Sequence, residues 1–260
     1  LSPGTNEIKI SSGVASYSLG ASYLLNNKTS LYLKFGSSAR MPKVDEYYAW
    51  GLLNSSLLTQ MTESLEGGAR LIFSKNIAGN INLFRMESKN EIYYNPATFS
   101  NENYKKTTRI GAETGLNFKP SNPLTLNLNY TYTDGKITEG TYNGSVIPAV
   151  PAHSGSITGI LSLVKNLDIN LSGNYIGERY FISDQKNISP KLNAYTVFNT
   201  NISYKIKSLK IFGGINNILD EKYAEYGVYA ERDFIGNFID RRSYYPSPRR
   251  NFFIGTEVAF

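Results

Sequence analysis

Apolar and polar residues alternate one by one along most of this chain, which is the two-residue period of a β-strand. In residues 124–133, with the sequence LTLNLNYTYT, leucines and tyrosines share one face, and threonines and asparagines share the other. The pattern predicts an all-β chain with no amphipathic helix. The eleven predicted strands are 14–25, 28–37, 63–74, 77–87, 106–118, 124–133, 154–164, 167–175, 198–206, 208–217 and 252–260.

The connections between these strands alternate between short and long. The short ones are Asn26-Asn27, Lys75-Asn76, 119–123, Lys165-Asn166 and Lys207-Ser208. The long ones are about 39–62, 88–105, 134–153, 176–193 and 218–248. Short turns at one rim and long loops at the other are typical of an antiparallel up-and-down meander.

Two architectures would explain strands with one apolar and one polar face. In a soluble sandwich the apolar face is the core, whereas in an outer-membrane barrel it meets lipid and the polar face lines the lumen. Most predicted strands are about as long as the roughly 9–11 residues of a tilted membrane strand. Aromatic residues near strand ends, such as Tyr130, Tyr175 and Phe118, suit the interfacial girdles of such barrels. We therefore expect an antiparallel up-and-down transmembrane β-barrel, with the sandwich as the alternative.

Composition removes several classes of function. The 260-residue chain has no Cys and a single His, which excludes disulfide scaffolds, thiol nucleophiles and thiolate-bound metals and argues against His-based metal centres. No apolar run approaches the roughly 18 residues of a transmembrane helix. Lys and Arg outnumber Asp and Glu by 27 to 21. Because these basic residues do not cluster on one segment, nucleic-acid binding is not expected.

Few residues suggest chemistry. His153 lies at the start of a strand, and we expect a local hydrogen bond there rather than a ligand role. The acidic pairs Asp45-Glu46 and Asp220-Glu221 are adjacent in sequence, so their side chains point apart. Asp220 follows Asn217 at a strand end, which favours turn capping over catalysis. We predict no catalytic residue, no metal site and no cofactor, and therefore no enzyme.

Five motifs, in order, resemble those of TonB-dependent outer-membrane receptors. They are GSSARMPKVDEYY (36–48), TESLEGGAR (62–70), IPAVPAHSGSITG (147–159), NNILDEKYAEYG (216–227) and PSPRRNFFIGTEVAF (246–260). The resemblance covers nearly the whole chain. It departs from the family pattern at Ser247, where a Gly is usual before Arg249.

This resemblance implies a fold and a set of partners. Family members carry a plug inside a 22-stranded barrel, so residues 1–260 are expected to be a single domain, the C-terminal half of such a barrel. The N-terminal barrel half and the plug would come from the same or a separate chain. Further implied partners are the lipid bilayer of a Gram-negative-type outer membrane, the periplasmic TonB complex acting through the plug, and a scarce nutrient chelate of siderophore, haem or cobalamin-like type. The alternative is a free-standing twelve-stranded pore or translocator barrel, with a twelfth strand within residues 1–13 or 223–245.

The resemblance also places two sets of candidate residues. Charged residues on the polar faces of neighbouring strands would face the plug, with direct ligand contact as the alternative: Lys34, Glu66, Arg70, Arg109 and Glu113. Ligand capture would occur on the extracellular loops, where Tyr and Arg offer large contact areas with polar tips; packing of loop on loop is the alternative. The loop candidates are Tyr47, Tyr48, Trp50, Tyr93, Tyr94, Arg179, Tyr180, Phe181, Tyr226, Tyr229, Arg232, Tyr244 and Tyr245.

Overall fold

Eleven antiparallel strands form one continuous sheet in the computed structural model, which describes residues 13–49, 52–95, 98–233 and 235–259. Each strand of the sheet pairs with the next sheet strand in sequence, as the meander predicts. The sheet strands are β1 (Tyr17–Asn26), β2 (Thr29–Arg40), β5 (Gln60–Ser74), β6 (Ile77–Asn95), β7 (Ser100–Ser121), β8 (Leu124–Glu139), β9 (His153–Val164), β10 (Leu167–Ile176), β11 (Tyr195–Ile206), β12 (Leu209–Asn216) and β15 (Asn251–Val258). The predicted number of strands is confirmed.

The remaining elements belong to the long loops. The first loop carries a short 3-10 helix (Val44–Tyr47) and the strands β3 (Tyr48–Ala49) and β4 (Leu52–Leu53), which pair with each other. The last loop folds into a hairpin of β13 (Ala224–Arg232) and β14 (Phe238–Pro246). Within the described ranges no helix is long and apolar enough to cross a membrane.

One face of the sheet is apolar and uncovered. Leu33 on β2 and Leu83 on β6 are each 58 % exposed, Leu171 on β10 is 50 % exposed, and Ile254 on β15 is 84 % exposed. Nothing in the described part of the chain packs across these side chains as the second layer of a sandwich would. A soluble protein rarely leaves so wide an apolar surface in water. The alternation of apolar and polar residues therefore fits a barrel wall whose apolar face points outward.

Pairs of a glycine and an aromatic residue recur at directly opposed positions on neighbouring strands. Gly68 opposes Tyr32, and Gly111 opposes Phe84. A Cβ added at Gly111 would lie 2.2 Å from the carbonyl oxygen of Tyr132 and 2.5 Å from Cζ of Phe84. The aromatic ring therefore occupies the space that a side chain at the glycine would need, and only glycine fits beneath it.

Strands β6, β7 and β8 are longer than the predicted 77–87, 106–118 and 124–133. The predicted ends fall where polar and charged residues begin to occupy both faces, as in Ser88, Lys89, Asn90 and Glu91 of β6. The ladder nevertheless keeps its register there, from Lys89↔Lys106 to Glu91↔Tyr104. The two-residue period was therefore lost at a point where the strand itself goes on.

The described residues do not provide a twelfth sheet strand at 223–245. The hairpin β13–β14 forms a separate two-stranded sheet. Within the described ranges, β1 and β15 do not pair with each other. The barrel is accordingly open along these two edges. The other predicted place for a twelfth strand, residues 1–13, lies almost wholly outside the described residues.

Gly111→Ala is expected to destabilise the sheet by about 2 kcal/mol or more, because the new methyl group meets a backbone carbonyl and an aromatic ring. The midpoint of urea unfolding of the detergent-solubilised protein measures the change. Gly20→Ala is the matched control, since its nearest atom would be 3.8 Å away. Equal midpoints for the two variants would contradict the packing argument.

Candidate functional site

The loop between β10 and β11 (residues 177–194) is held against the last loop by Arg179. This side chain is only 4 % exposed. Its Nη2 donates to the carbonyl oxygens of Ala224 at 3.0 Å and Glu225 at 2.7 Å, and its guanidinium lies 5.3 Å from the ring centre of Tyr195. The planar fork of arginine suits this grip on two successive carbonyls.

A small apolar cluster completes the contact between the two loops. Phe181 is fully buried and packs with Leu192 and Tyr229. Gly227 lies directly against Phe181, since a Cβ there would be 2.7 Å from the ring. The backbone N–H of Ile182 donates to the carbonyl of Gly227 at 3.0 Å. The 177–194 loop and the hairpin β13–β14 therefore form one folded unit, which we call the loop unit.

The base of the last loop is closed by three residues of the sequence motifs. The side chain of Asn217 donates to the carbonyl oxygens of Glu221 at 2.9 Å and Pro248 at 3.3 Å. The Arg249 guanidinium donates to the Asp220 carboxylate, with Nε 2.8 Å from Oδ1. This hydrogen bond and that from the Arg250 backbone lower the pKa of Asp220 to about 2. We call this group the clasp. Asp220 thus has a structural role across the loop base, whereas the predicted turn capping is carried out by Asn217, whose Oδ1 accepts from the backbone N–H of Glu221 at 2.8 Å.

A second cluster lies where β6 and β7 rise above the rest of the sheet. The rings of Tyr93 and Tyr104 stack with centres 4.0 Å apart, and Tyr142 meets both edge-on. The Tyr93 hydroxyl donates to Glu102 at 2.7 Å. This packing makes a rigid wall beside the loop unit. Between the two lies a cavity of about 200 Å³ lined in part by Tyr142, Ser183 and Tyr229.

The other loop candidates are more dispersed. Tyr226 and Tyr245 contact each other at 4.5 Å between ring centres, and Tyr244 contacts Phe181 at 5.3 Å. Tyr48, Tyr94, Tyr226, Tyr244, Tyr245 and Arg232 are exposed, whereas Tyr47 and Tyr180 are half-buried. Trp50 lies outside the described residues. The structure thus brings Arg179, Phe181, Tyr229 and Tyr244 together, and leaves Tyr47 and Tyr48 in the separate first loop.

The five charged candidates on the strands share the polar face of the sheet. Lys34 opposes Glu66, with 3.6 Å between Nζ and Oε1. Glu113 accepts from the amide of Asn82 at 3.3 Å, and Arg70 lies over the ring of Tyr32. The partner of Arg109 is Glu91, with Nη2 2.6 Å from Oε1. Their contact with a plug or a ligand stays a prediction.

Several residues that organise this region were not predicted. Asp184 is 1 % exposed and accepts from the backbone N–H groups of Ile188 and Ser189, while Asn187 bridges to both backbone groups of Val146. The segment SDQKNIS (183–189) contains the Asp, Asn and Ser residues that form such local turns. That composition was the available signal. Nothing in the sequence indicated the long-range contact of Asn187 with Val146.

Comparison with known proteins decides the family. A family model described as the TonB-dependent receptor-like β-barrel matches residues 2–218. The chain belongs to this family. Its apolar outer face and polar inner face are accordingly those of an antiparallel transmembrane barrel, seen here as eleven strands of an unclosed wall.

The relatives and solved structures that the chain matches include proteins named as receptors. The metal-pseudopaline receptor CntO of Pseudomonas aeruginosa is 28 % identical over 172 residues, which is 62 % of this chain and 24 % of the relative. A mutant of the ferric enterobactin receptor PfeA of Pseudomonas aeruginosa superposes with a TM-score of 0.74 at 17 % identity, covering 94 % of this chain and 40 % of that one. The ferric yersiniabactin uptake receptor FyuA of Yersinia pestis gives 0.69 at 17 % identity, covering 94 % and 37 %. The chain thus spans well under half the length of these proteins.

The clasp is expected to weaken in acid. Because the pKa of Asp220 falls from 3.8 to about 2 on folding, its contribution is complete above about pH 4 and is lost as pH falls towards 2. Hydrogen exchange of residues 224–246, corrected for the intrinsic rate, should rise across that range. In Asp220→Asn the same amides should exchange faster already at pH 6 and show a smaller pH response. Asp168→Asn, in β10 beside the short turn at the opposite rim, should behave as the unchanged protein.

Arg179→Ala is expected to separate the two halves of the loop unit. The carbonyls of Ala224 and Glu225 lose their donor, which should lower the local opening free energy by about 1–3 kcal/mol. Hydrogen exchange of 177–194 and of the hairpin measures this. Arg241→Ala, an exposed arginine of the same hairpin, is the control. Unchanged exchange in Arg179→Ala would refute the proposed grip.

Proposed function

We propose that this chain is the C-terminal part of the barrel of a TonB-dependent receptor that imports a metal chelate across the outer membrane of a Gram-negative-type bacterium. The observation that carries the proposal is the two-faced sheet of the receptor family. Its apolar face suits lipid, its polar face suits a water-filled lumen, and its long loops fold together at one rim. Transport of this kind needs binding and movement, and no catalytic residue.

The open edges and the polar face support the proposed partners within the receptor. Backbone groups on the free edges of β1 and β15 cannot remain unpaired in lipid, so an N-terminal barrel half would pair with both. The plug would lie against the polar face, where Lys34, Glu66 and Arg70 offer charge and hydrogen bonds. The periplasmic TonB complex would act on that plug.

The loop unit supports capture of the chelate. Its buried residues Arg179, Phe181 and Tyr229 give it a fixed shape, so their role in binding would be indirect. The exposed Tyr226, Tyr244 and Tyr245 offer aromatic faces with hydroxyl tips to a ligand. The relatives named as receptors for metal-pseudopaline, ferric enterobactin and ferric yersiniabactin support an organic metal chelate as the substrate class. Siderophore, haem and cobalamin-like chelates are the candidates.

Energised uptake tests the proposal. Cells that produce the complete receptor as their only TonB-dependent protein are given labelled iron(III) complexes of a trihydroxamate, a tricatechol amide and citrate, and labelled haem and cobalamin. We expect saturable import of at least one complex, lost when the proton gradient is dissipated. Import of none of them, or import that persists without the gradient, would overturn the proposal. Cells lacking the receptor provide the baseline.

A further inference from the structure

The cavity between the loop unit and the tyrosine wall, which we call the Ser183 pocket, has an unusual residue in its lining. Ser183 adopts a φ of 78°, a left-handed conformation that costs free energy for a residue with a Cβ. Its Oγ is buried and has no hydrogen-bond partner among the described residues. Either feature is unfavourable alone, and both occur at one position beside a cavity.

The local fold does not require a serine at this position. The turn that follows is held by Asp184, whose carboxylate accepts three hydrogen bonds from Ile188 and Ser189. None of these bonds uses Ser183. Glycine would adopt the same φ without strain and would leave no hydroxyl unpaired. Because strain of this kind clusters at ligand-binding positions, a role in binding accounts for both costs.

The charges around the pocket balance, since the lining contains the acids Asp184 and Glu231 and the bases Lys186 and Arg232. Lys186 Nζ lies 2.7 Å from the Glu231 carboxylate, and Arg232 donates to the carbonyl of Gly236 at 2.8 Å. With the Asp184 carboxylate also engaged, the lining has no net charge that would favour an ionised ligand group, and uncharged side chains add hydrogen-bonding capacity. This capacity comes from the Ser183 hydroxyl and from the side chains of Tyr142, Gln185 and Tyr229.

We propose that the Ser183 pocket binds an uncharged hydroxyl- or amide-bearing group of the imported chelate, with Ser183 Oγ as its hydrogen-bond partner. The hydroxyl is enclosed in the observed rotamer, so contact with the ligand requires a rotation about χ1 that turns it towards the cavity. The volume of about 200 Å³ is below the roughly 300–1,000 Å³ of a site for a whole small molecule. The pocket therefore takes one substituent and leaves the metal centre outside it. This inference rests on the proposed function.

Two substitutions at Ser183 separate a binding role from a structural one. Ser183→Ala removes the hydroxyl and keeps the strained backbone, whereas Ser183→Gly removes both. In the complete receptor, we expect either variant to bind the imported complex roughly tenfold more weakly. We expect Ser183→Gly to slow hydrogen exchange of residues 181–189, because the local strain is relieved. A variant that stabilises its loop while losing affinity is the signature of a binding residue.

Asn166→Gly is the matched control. Asn166 also has a left-handed φ, of 70°, but it lies in the short turn between β9 and β10 at the opposite rim. It should relieve strain and leave affinity unchanged. The affinities are measured with whichever labelled complex the cells import. Unchanged affinity in both Ser183 variants, or import restricted to haem, whose free polar groups are carboxylates, would overturn this inference and leave the proposed function standing. If no complex is imported, the proposed function fails and this inference fails with it.

Discussion

The structure depends on a constraint that the hydrocarbon interior of a membrane places on the backbone: every N–H and C=O group in it must be paired within the protein. Between β1 and β15 the eleven strands meet the constraint by joining in one unbroken ladder, which leaves only the two outer edges open within the described residues. A pleated strand then has two faces, and the environments on the two sides of the wall determine which residues each face accepts. Leu33 and Lys34 are neighbours in sequence, and their side chains lie on opposite faces of the wall.

The height of the wall is set by the same rule. On the outer face of β6, Ile81 and Leu83 are followed at the same period by Arg85 and Glu87, which pair with each other. This change from apolar to charged residues marks where lipid chains would end. Pairing of β6 with β7 nevertheless continues past Asn90 to Asn95. The strands above the apolar band thus form a stiff support for the tyrosine wall and the loop unit.

Sequence alone predicts the elements that depend on residues close together in the chain. Alternation predicted the strands and their faces, and the motifs around Asn217, Asp220 and Arg249 pointed to the family. The contacts between loops could not be predicted, because they join residues far apart in the chain. Arg179 reads as an exposed loop cation in the sequence, yet it is buried on carbonyls about 45 residues away. The upper parts of β6 and β7 were missed because polar residues occupy both faces there while the ladder continues.

The clasp has a mechanical consequence. Asn217, Asp220 and Arg249 join the two ends of the last loop directly above β12 and β15. A force on the hairpin is then borne by the clasp, which holds both ends of the loop together. Little of that force reaches the ends of β12 and β15. The loop can therefore change its orientation while the pairing of β12 with β15 below it keeps its register. The same segment of chain can therefore join a movable loop to a fixed part of the wall.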